Sequence, residues 1–287
     1  MLKAINFMRY KELCLSLFLV LIIATGFTYW LKNGFNYSVD FTGGTQLQLK
    51  FENPVDGEQI KNLLKDAGWK SVDIRVFSSN HILVRLQSEV DLKTLQKQIS
   101  EFLTSKISNK LTIEKIDSVS PKVGKLLRSN SIKAIFIALV LMLLYITIRF
   151  KSSYALGAVL ALVHDTLIIV FFFLLTGIEI SADVIAAIIM ILGYSINDTI
   201  VIFSRIRENI VILKDKPMLE IVNISLNQTL RRTLLTSFST ALVVMSLIML
   251  GGETLRGLSF VLLIGIIFGT YSSIFIASPI MLMFSRL

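Results

Sequence analysis

Cysteine, histidine and charge are all scarce in this chain of 287 residues. Its one cysteine, Cys14, excludes an intramolecular disulfide, and its two histidines, His81 and His164, are too few and too scattered for a metal-site signature. Charged residues make up 17% of the chain, well below the share that a soluble domain carries. The composition therefore argues against a disulfide scaffold, a metalloprotein and a soluble domain.

Apolar residues, in contrast, make up 54% of the chain and gather in long runs. A run of about 20 such residues is long enough to cross the hydrocarbon layer as a helix. Six transmembrane helices are predicted on this basis, at 13–31, 132–148, 154–176, 183–203, 233–250 and 257–284. The first run exceeds the apolar part of a signal peptide and no small-residue cleavage site follows it, so we expect an uncleaved anchor.

Basic residues gather on one side of the predicted bundle: Lys3, Arg9, Lys11, Arg149, Lys151, Arg205, Arg207, Lys214, Lys216 and Arg231. The opposite short loops hold Glu179, Asp183, Glu253 and the single Arg256. By the positive-inside rule, both termini are cytoplasmic and the insert after the first span is extracytoplasmic. The net charge of +9 is thus largely a topology signal. Because the insert itself is only slightly basic, we do not expect it to bind nucleic acid.

The insert shows the periodicities of a small α+β domain. Alternating residues predict strands around 45–51, 72–76, 82–86 and 111–119, and apolar residues at helical spacing predict helices around 60–67 and 92–103. The resulting order βαββαβ is that of a ferredoxin-like domain. We place the N-terminus and first helix at 1–32, this domain at 33–130 and a five-helix bundle at 131–287, with a cytoplasmic loop at about 204–231.

No catalytic set is visible in the insert, so we do not expect an enzyme. Ser78 and Ser79 lie beside His81, but turn residues next to a solvated imidazole are the simpler interpretation. The segment Asp40, Phe41, Thr42, Gly43, Gly44 lacks the lysine and the preceding strand of a phosphate-binding loop. Its glycine pair predicts a tight bend, and a hinge that lets the insert rock is a further hypothesis.

Asp198 lies in the apolar fourth span and is the principal candidate for function. A carboxylate at membrane depth costs at least about 2.5 kcal/mol, so it usually faces the bundle interior, a partner charge or a water path. Arg232 on the next span is the candidate partner, within a predicted polar stripe of Thr229, Arg232, Thr233, Thr236, Ser239 and Thr240. The alternative for Arg232 is a simple positive-inside anchor. The pattern indicates a proton or ion element.

A second ionisable group, Asp165, lies near the middle of the third span beside His164. Both are secondary candidates for proton coupling, together with Asn197, Thr233 and Thr236. Hydrogen bonds that pack helices are the alternative role for the His164 and Asp165 pair. Small residues on the fourth and sixth spans predict close helix packing: Gly193, Gly265, Gly269 and Ser273.

Three segments together resemble one family: VDFTGGT at 39–45, GYSINDT at 193–199 running into RIREN at 205–209, and QTLRRTLLTS at 228–237. HD at 164–165 and GTYSSI at 269–274 fit as well. The chain thus resembles the SecF branch of the SecD/SecF family in the RND superfamily, nearly end to end. The resemblance implies an α-helical membrane protein of six helices, an RND-like half-bundle, with one extracytoplasmic ferredoxin-like domain.

In that family the residues matching Asp198 and Arg232 are implicated in proton-coupled protein export. The resemblance implies an auxiliary subunit of the Sec translocase in the bacterial inner membrane, with SecD, the SecYEG translocon, YajC, YidC and unfolded exported polypeptide as partners. No cofactor is expected. An RND-type exporter subunit for small molecules or lipids, and a non-conducting scaffold subunit, are the alternatives. One six-helix unit with a small insert favours half of a two-subunit machine.

Overall fold

The computed structural model of the chain describes residues 5–87, 91–107, 109–150 and 152–285. Lys3 and Lys151, two of the basic residues in the charge pattern, lie outside these ranges. The chain divides into two compact units. An α+β unit comprises residues 37–131, and a helical unit comprises residues 1–36 together with 132–287.

The α+β unit has the predicted βαββαβ order. After a single helical turn, α2 (Val39–Thr42), the chain forms β1 (Gly44–Phe51), α3 (Gly57–Asp66), β2 (Lys70–Ser78), β3 (His81–Gln87), α4 (Leu92–Ile107) and β4 (Leu111–Val119). The strands form one sheet in the order β2-β3-β1-β4, in which every pair is antiparallel. This is the strand order of a ferredoxin-like domain, and the prediction of that fold is confirmed.

The core of the α+β unit follows from the two periodicities in the sequence. Alternate residues of β1 and β3 lie opposite each other, with Leu47 facing Val84 and Leu49 facing Ile82. Helix α4 contributes buried residues at every fourth position, and α3 adds two more: Leu95, Ile99, Leu103, Ile60 and Leu64. Strand residues with a period of two and helix residues with a period near 3.6 thus meet in one apolar layer.

Helices make up the second unit. They are α1 (Lys11–Leu31), preceded by a 3-10 turn at Phe7–Tyr10, then α5 (Pro121–Arg149), α6 (Ser152–Thr176), α7 (Ala182–Ile212), α8 (Met218–Leu250), α9 (Gly252–Ser272) and α10 (Ser278–Phe284). The start of α5, up to residue 131, belongs to the α+β unit. A π-helical turn at Ser273–Ala277 joins α9 to α10. Within the described residues, six helical stretches are long and apolar enough to cross a membrane, which confirms the predicted number.

The centre of the helical unit is built by α6, α7 and the α9–α10 stretch, which bury the largest share of their residues. Helices α1, α5 and α8 leave most of their surface uncovered by this chain. A cluster of buried apolar side chains fills the centre, including Ile146, Tyr154, Phe203 and Met281. Whether a polar side chain in one of these spans is buried therefore depends on which face of its helix it occupies.

Residues 204–231, predicted as a cytoplasmic loop, are helical except for the turn at 213–217. Polar side chains pair the two helices beyond their apolar spans. Asn209 Nδ2 donates to Ser225 Oγ and to Gln228 Oε1, both at 2.8 Å, and Arg205 Nε donates to the same Gln228 oxygen at 2.6 Å. A span predicted from hydropathy ends where polar residues begin. The helices themselves continue past that point, because these hydrogen bonds pair their polar side chains.

Candidate functional site

Asp198 is buried in α7 with 4% of its surface exposed. Ser195, three residues earlier, shares its buried helix face, and Thr199 is buried on the adjoining face. The Oγ of Ser237 on α8 donates to Asp198 Oδ2 at 3.4 Å. Ser237 also lies 2.6 Å from Thr270 Oγ1 on α9. Hydroxyl groups from two neighbouring helices therefore surround this carboxylate.

Asp165 on α6 is buried more deeply, with 1% of its surface exposed. Its Oδ2 accepts hydrogen bonds from Ser195 Oγ on α7 at 2.5 Å and from Ser272 Oγ on α9 at 2.9 Å. Its Oδ1 lies 3.2 Å from His164 Nδ1. The His164 ring is itself buried and packs edge-on against Phe18. One carboxylate thus ties together three helices of the central bundle.

A third set of hydroxyl contacts joins α7 to the π-helical turn that follows α9. Ser273 Oγ lies 2.8 Å from Thr199 Oγ1 and donates to the carbonyl of Ser195 at 3.3 Å. We call the buried set Asp165, Ser195, Asp198, Thr199, Ser237, Thr270, Ser272 and Ser273 the carboxylate–hydroxyl cluster. The structure brings both sequence-predicted acids into this cluster.

Arg232 lies outside this cluster, although its charge is near enough to act on Asp198. Its side chain is exposed on α8, and no ion pair joins it to Asp198 in the described part of the chain. The predicted polar stripe of α8 is in fact two faces. Thr229, Thr233 and Ser237 recur every four residues and are buried, whereas Arg232, Thr236 and Ser239 are exposed. One residue along a helix is a rotation of about 100°, which places Arg232 on a different face from Thr233.

The other secondary candidates also separate into two groups. Thr233 is buried and its hydroxyl donates to the backbone carbonyl of Thr229 at 3.2 Å. Asn197 and Thr236 are exposed. Tyr194 OH donates to Thr240 Oγ1 at 3.2 Å, so α7 and α8 are joined near this exposed region. We call Gly193, Asn197, Arg232, Thr236 and Ser239 the polar outer face.

Two of the small residues bring α9 close to α7. A Cβ on Gly265 would lie 2.5 Å from side-chain carbons of Ile191, and a Cβ on Gly269 would lie 3.1 Å from Ser195 Cβ. Ser273 adds the hydroxyl contact to α7. Gly193 behaves differently, because a Cβ there would meet nothing within 4 Å. The packing prediction for Gly193 is therefore not met by a helix of this chain.

The segment from Asp40 to Gly44 forms a capped helical turn followed by a bend. Ser38 Oγ accepts from the Asp40 backbone N–H at 3.3 Å, and Thr42 Oγ1 donates to the Ser38 carbonyl at 3.0 Å. Phe41 is buried. Gly43 has a φ of 77° and Gly44 a φ of 117°, which glycine adopts without the penalty that a Cβ brings.

Gly43 also packs against backbone. A Cβ on Gly43 would lie 2.7 Å from the Cα of Pro121, within the same α+β unit. The bend is thus a close-packed turn. Nearby, burial lowers the pKa of Arg85 to about 10, helped by the positive charge of Arg75, while Asp73 and Asp40 oppose the shift. Arg85 therefore keeps its proton at neutral pH.

Five members of the carboxylate–hydroxyl cluster were missed as site residues: Ser195, Thr199, Ser237, Thr270 and Ser272. The sequence signal for these residues is a serine or threonine inside an apolar helix. Each lies at helical spacing from an acid or from another such residue. Hydroxyls in helices also bond to their own backbone, as Thr233 does, so the pattern alone does not select the partners. Among the described residues, no group of three or more His, Cys, Asp and Glu side chains could hold a metal ion.

Two protein-family models match different parts of this chain. The family described as "Protein export membrane protein SecD/SecF, C-terminal" matches residues 99–287, which is more than half of the chain. The "SecD/SecF GG Motif" matches residues 28–55, around the Gly43 bend. The chain belongs to the SecD/SecF family. Because the family is one of membrane proteins and the chain has six long apolar helices in its described residues, it is a multi-pass membrane protein.

Relatives that match this chain over nearly its whole length include SecF subunits. The protein translocase subunit SecF of Pseudomonas aeruginosa is 38% identical over 280 residues, covering 97% of this chain and 90% of that protein. SecF of Desulfurispirillum indicum is 40% identical over 282 residues, covering 96% of this chain and 90% of that protein. The chain is accordingly a protein translocase subunit of the SecF type.

A solved structure gives the same fold. The crystal structure of SecDF, a translocon-associated membrane protein from Thermus thermophilus, is 36% identical and superposes with a TM-score of 0.90. The match covers 99% of this chain but 39% of that longer protein. This chain therefore corresponds to less than half of the length of that protein.

Proposed function

We propose that this SecF-type subunit pairs with SecD and couples proton flow to late steps of polypeptide export across the bacterial inner membrane. It works without enzymatic chemistry, with both termini in the cytoplasm. Its further partners are the SecYEG translocon, YajC, YidC and the unfolded exported polypeptide. The observation that carries the proposal is the burial of Asp198 among hydroxyl groups.

Hydroxyl neighbours suit a carboxyl group that gains and loses a proton. A serine or threonine hydroxyl donates to a carboxylate and, after rotation, accepts from a carboxylic acid. Ser237 at 3.4 Å from Asp198, and Thr270 at 2.6 Å from Ser237, are therefore partners for either state. An arginine in contact would offer donors only and would favour the charged form. Arg232 forms no ion pair with Asp198 among the described residues, so both states of Asp198 remain accessible.

The energy available to such a site is sufficient. One charge that crosses the membrane potential releases about 2.3 kcal/mol per 100 mV. That energy shifts a two-state equilibrium by more than tenfold, since about 1.4 kcal/mol corresponds to a factor of ten. A proton that binds and leaves Asp198 can thus bias two arrangements of the helices around it, and so drive movement that assists the exported polypeptide.

The polar outer face supports a partner in the membrane. Asn197 on α7 and Arg232, Thr236 and Ser239 on α8 are exposed, and lipid tails cannot satisfy their polar groups. Gly193 on the same face leaves room for a close helix contact. We propose that SecD covers this face and that Arg232 acts there. The longer SecDF relative is consistent with such pairing in one chain.

Neutralising the buried acid tests the proton role. In vesicles that contain the complex with SecD, we expect Asp198→Asn to insert and assemble normally but to lose export stimulated by an imposed proton gradient. The matched control is Asp183→Asn, because Asp183 lies exposed in the first turn of the same helix. If Asp198→Asn retains full stimulation, the chain is a scaffold subunit and the proton role is wrong.

Arg232 is tested against its neighbour. We expect Arg232→Ala to abolish stimulation and Arg232→Lys to restore part of it, because a planar guanidinium holds several acceptors that a point charge does not. Arg231→Ala, also exposed, should show a modest loss. Equal defects at both arginines would indicate membrane anchoring alone.

Crosslinking tests the partner. After replacement of Cys14, which is the single cysteine of the chain, cysteines at Asn197 and Thr236 are expected to crosslink to SecD. Crosslinks that never reach SecD, together with a stable and active monomer, would contradict the pairing.

A further inference from the structure

The end of α9 changes from an α-helix to a π-helix beside the carboxylate–hydroxyl cluster. The π-helical turn covers Ser273–Ala277, and α10 follows with Pro279 in its first turn. Proline has no backbone N–H and its ring crowds the preceding turn, so an ordinary α-helix cannot continue unchanged through this point. The Oγ of Ser278 donates to the Ser273 carbonyl at 3.1 Å, which satisfies one of the backbone groups that the wider turn leaves.

The residues just before and at the start of this turn place hydroxyls beside both acids and against α7. Thr270 contacts Ser237, the donor to Asp198. Ser272 donates to Asp165. Ser273 contacts Thr199 on α7. The position of this one segment therefore sets the hydroxyl environment of both carboxylates.

Asp165 makes the tighter set of contacts. Its hydrogen bonds from Ser195 and Ser272 measure 2.5 Å and 2.9 Å, compared with 3.4 Å from Ser237 to Asp198. Both short bonds end on the same oxygen, Oδ2, and they come from different helices. A carboxylate that accepts from two helices at once fixes the distance between them.

We propose that Asp165 is a positioning residue: as a hydrogen-bond acceptor it holds the start of the π-helical turn against α7, and so places Thr270 and Ser237 at Asp198. This inference rests on the proposed proton role of Asp198. Asp165 contributes an acceptor oxygen to the mechanism, whereas Asp198 contributes the exchange of a proton.

Asparagine distinguishes the two roles. The side-chain carbonyl of asparagine accepts hydrogen bonds from Ser195 and Ser272, and its amide can donate to His164 Nδ1 in the appropriate tautomer. Asparagine does not exchange a proton in the working pH range. Asp165→Asn is therefore expected to keep proton-stimulated export within about twofold of the parent and to leave the midpoint of its pH profile unchanged. Asp198→Asn is expected to lose the stimulation.

Removal of the acceptor is expected to be damaging. Asp165→Ala leaves two buried hydroxyls without their acceptor, and we expect roughly a tenfold loss of stimulation. Ser272→Ala removes one of the two interhelical bonds and should cause a smaller loss, with rescue by Ser272→Thr. The matched control is Ser259→Ala on the same helix, because Ser259 is equally buried and its Oγ has no hydrogen-bond partner among the described residues.

If Asp165→Ala fails to accumulate, Ser195→Ala and Ser272→Ala carry the test through their proton-stimulated export and their unfolding in detergent. The positioning role of Asp165 is supported if Ser272→Thr keeps the proton-stimulated export that Ser272→Ala loses, and if Ser259→Ala keeps it as well. Loss of stimulation in Asp165→Asn, or a shifted pH midpoint, overturns the inference while Asp198 keeps its role. Full stimulation in Asp198→Asn removes the proposed function, and the inference with it.

Discussion

The contact between α7 and α9 at Gly265 gives a quantitative test of the bundle. An alanine at Gly265 places its Cβ 2.5 Å from both Cγ atoms of Ile191 and 2.7 Å from Cδ1. Ile191 is buried and β-branched, so within a helix it has few other side-chain conformations to adopt. The helices must therefore shift apart or the side chain must strain.

The expected cost follows from two opposing effects. Overpacking a well-packed core costs about 1–3 kcal/mol. Replacing glycine by alanine inside a helix returns about 0.5–1 kcal/mol. Gly193→Ala on α7 gains the helix stabilisation without the overpacking cost, because nothing lies within 4 Å of its added Cβ. The free energy of unfolding should therefore differ between the two variants by about 1–3 kcal/mol, with Gly265→Ala the less stable.

Unfolding of the purified protein in detergent measures this difference. The decisive arm is the double variant. Ile191→Ala is itself destabilising, but it removes the atoms that an alanine at Gly265 would meet, so adding Gly265→Ala to it should cost nothing further. Equal stability of Gly265→Ala and Gly193→Ala, or no coupling between Gly265 and Ile191, would refute the contact.

Two further predictions concern other parts of the chain. Gly43→Ala should weaken hydrogen-exchange protection of β1 more than Gly68→Ala weakens its surroundings, because both positions have positive φ but only Gly43 would meet backbone, at 2.7 Å from Pro121; equal effects would contradict the close-packed bend. Asn223→Ala with Asn227→Ala should expose the N-terminal 3-10 turn to protease, since these amides make hydrogen bonds to it and to the residues before it; unchanged cleavage would show that apolar packing alone holds it.

The fold could be predicted largely because its periodicities are strong. Alternation in β1 and β3 and four-residue spacing in α4 indicated the ferredoxin-like order, and six apolar runs indicated six helices. Two local features were missed. The turn α2 is four residues long and depends on a cap by Ser38, which leaves no periodic signal. Helices α7 and α8 extend past their apolar spans because polar hydrogen bonds such as Asn209 to Ser225 hold their ends.

The candidate site could be predicted in its acids but not in their partners. A carboxylate in an apolar run indicates burial or pairing, and Asp198 and Asp165 are both buried. The pairing of Arg232 with Asp198 stays a prediction. The two residues form no ion pair among the described residues, because a step of one residue on α8 separates the exposed face of Arg232 from the buried face of Thr233. Spacing alone did not tell which of the two faces the bundle covers.

Close packing and the carboxylate–hydroxyl cluster depend on one another. Serine and threonine hydroxyls are short, so Ser272 and Ser273 reach Asp165 and Thr199 at 2.9 Å and 2.8 Å only when α9 lies against α7 and its neighbours at close range. Gly265 and Gly269 permit that approach, since side chains there would meet Ile191 and Ser195. A larger residue at Gly269 would press on Ser195, the donor of the shortest bond to Asp165. Helix separation and loss of the acceptor contacts at Asp165 should therefore occur together, which makes the glycines part of the arrangement that positions Asp198.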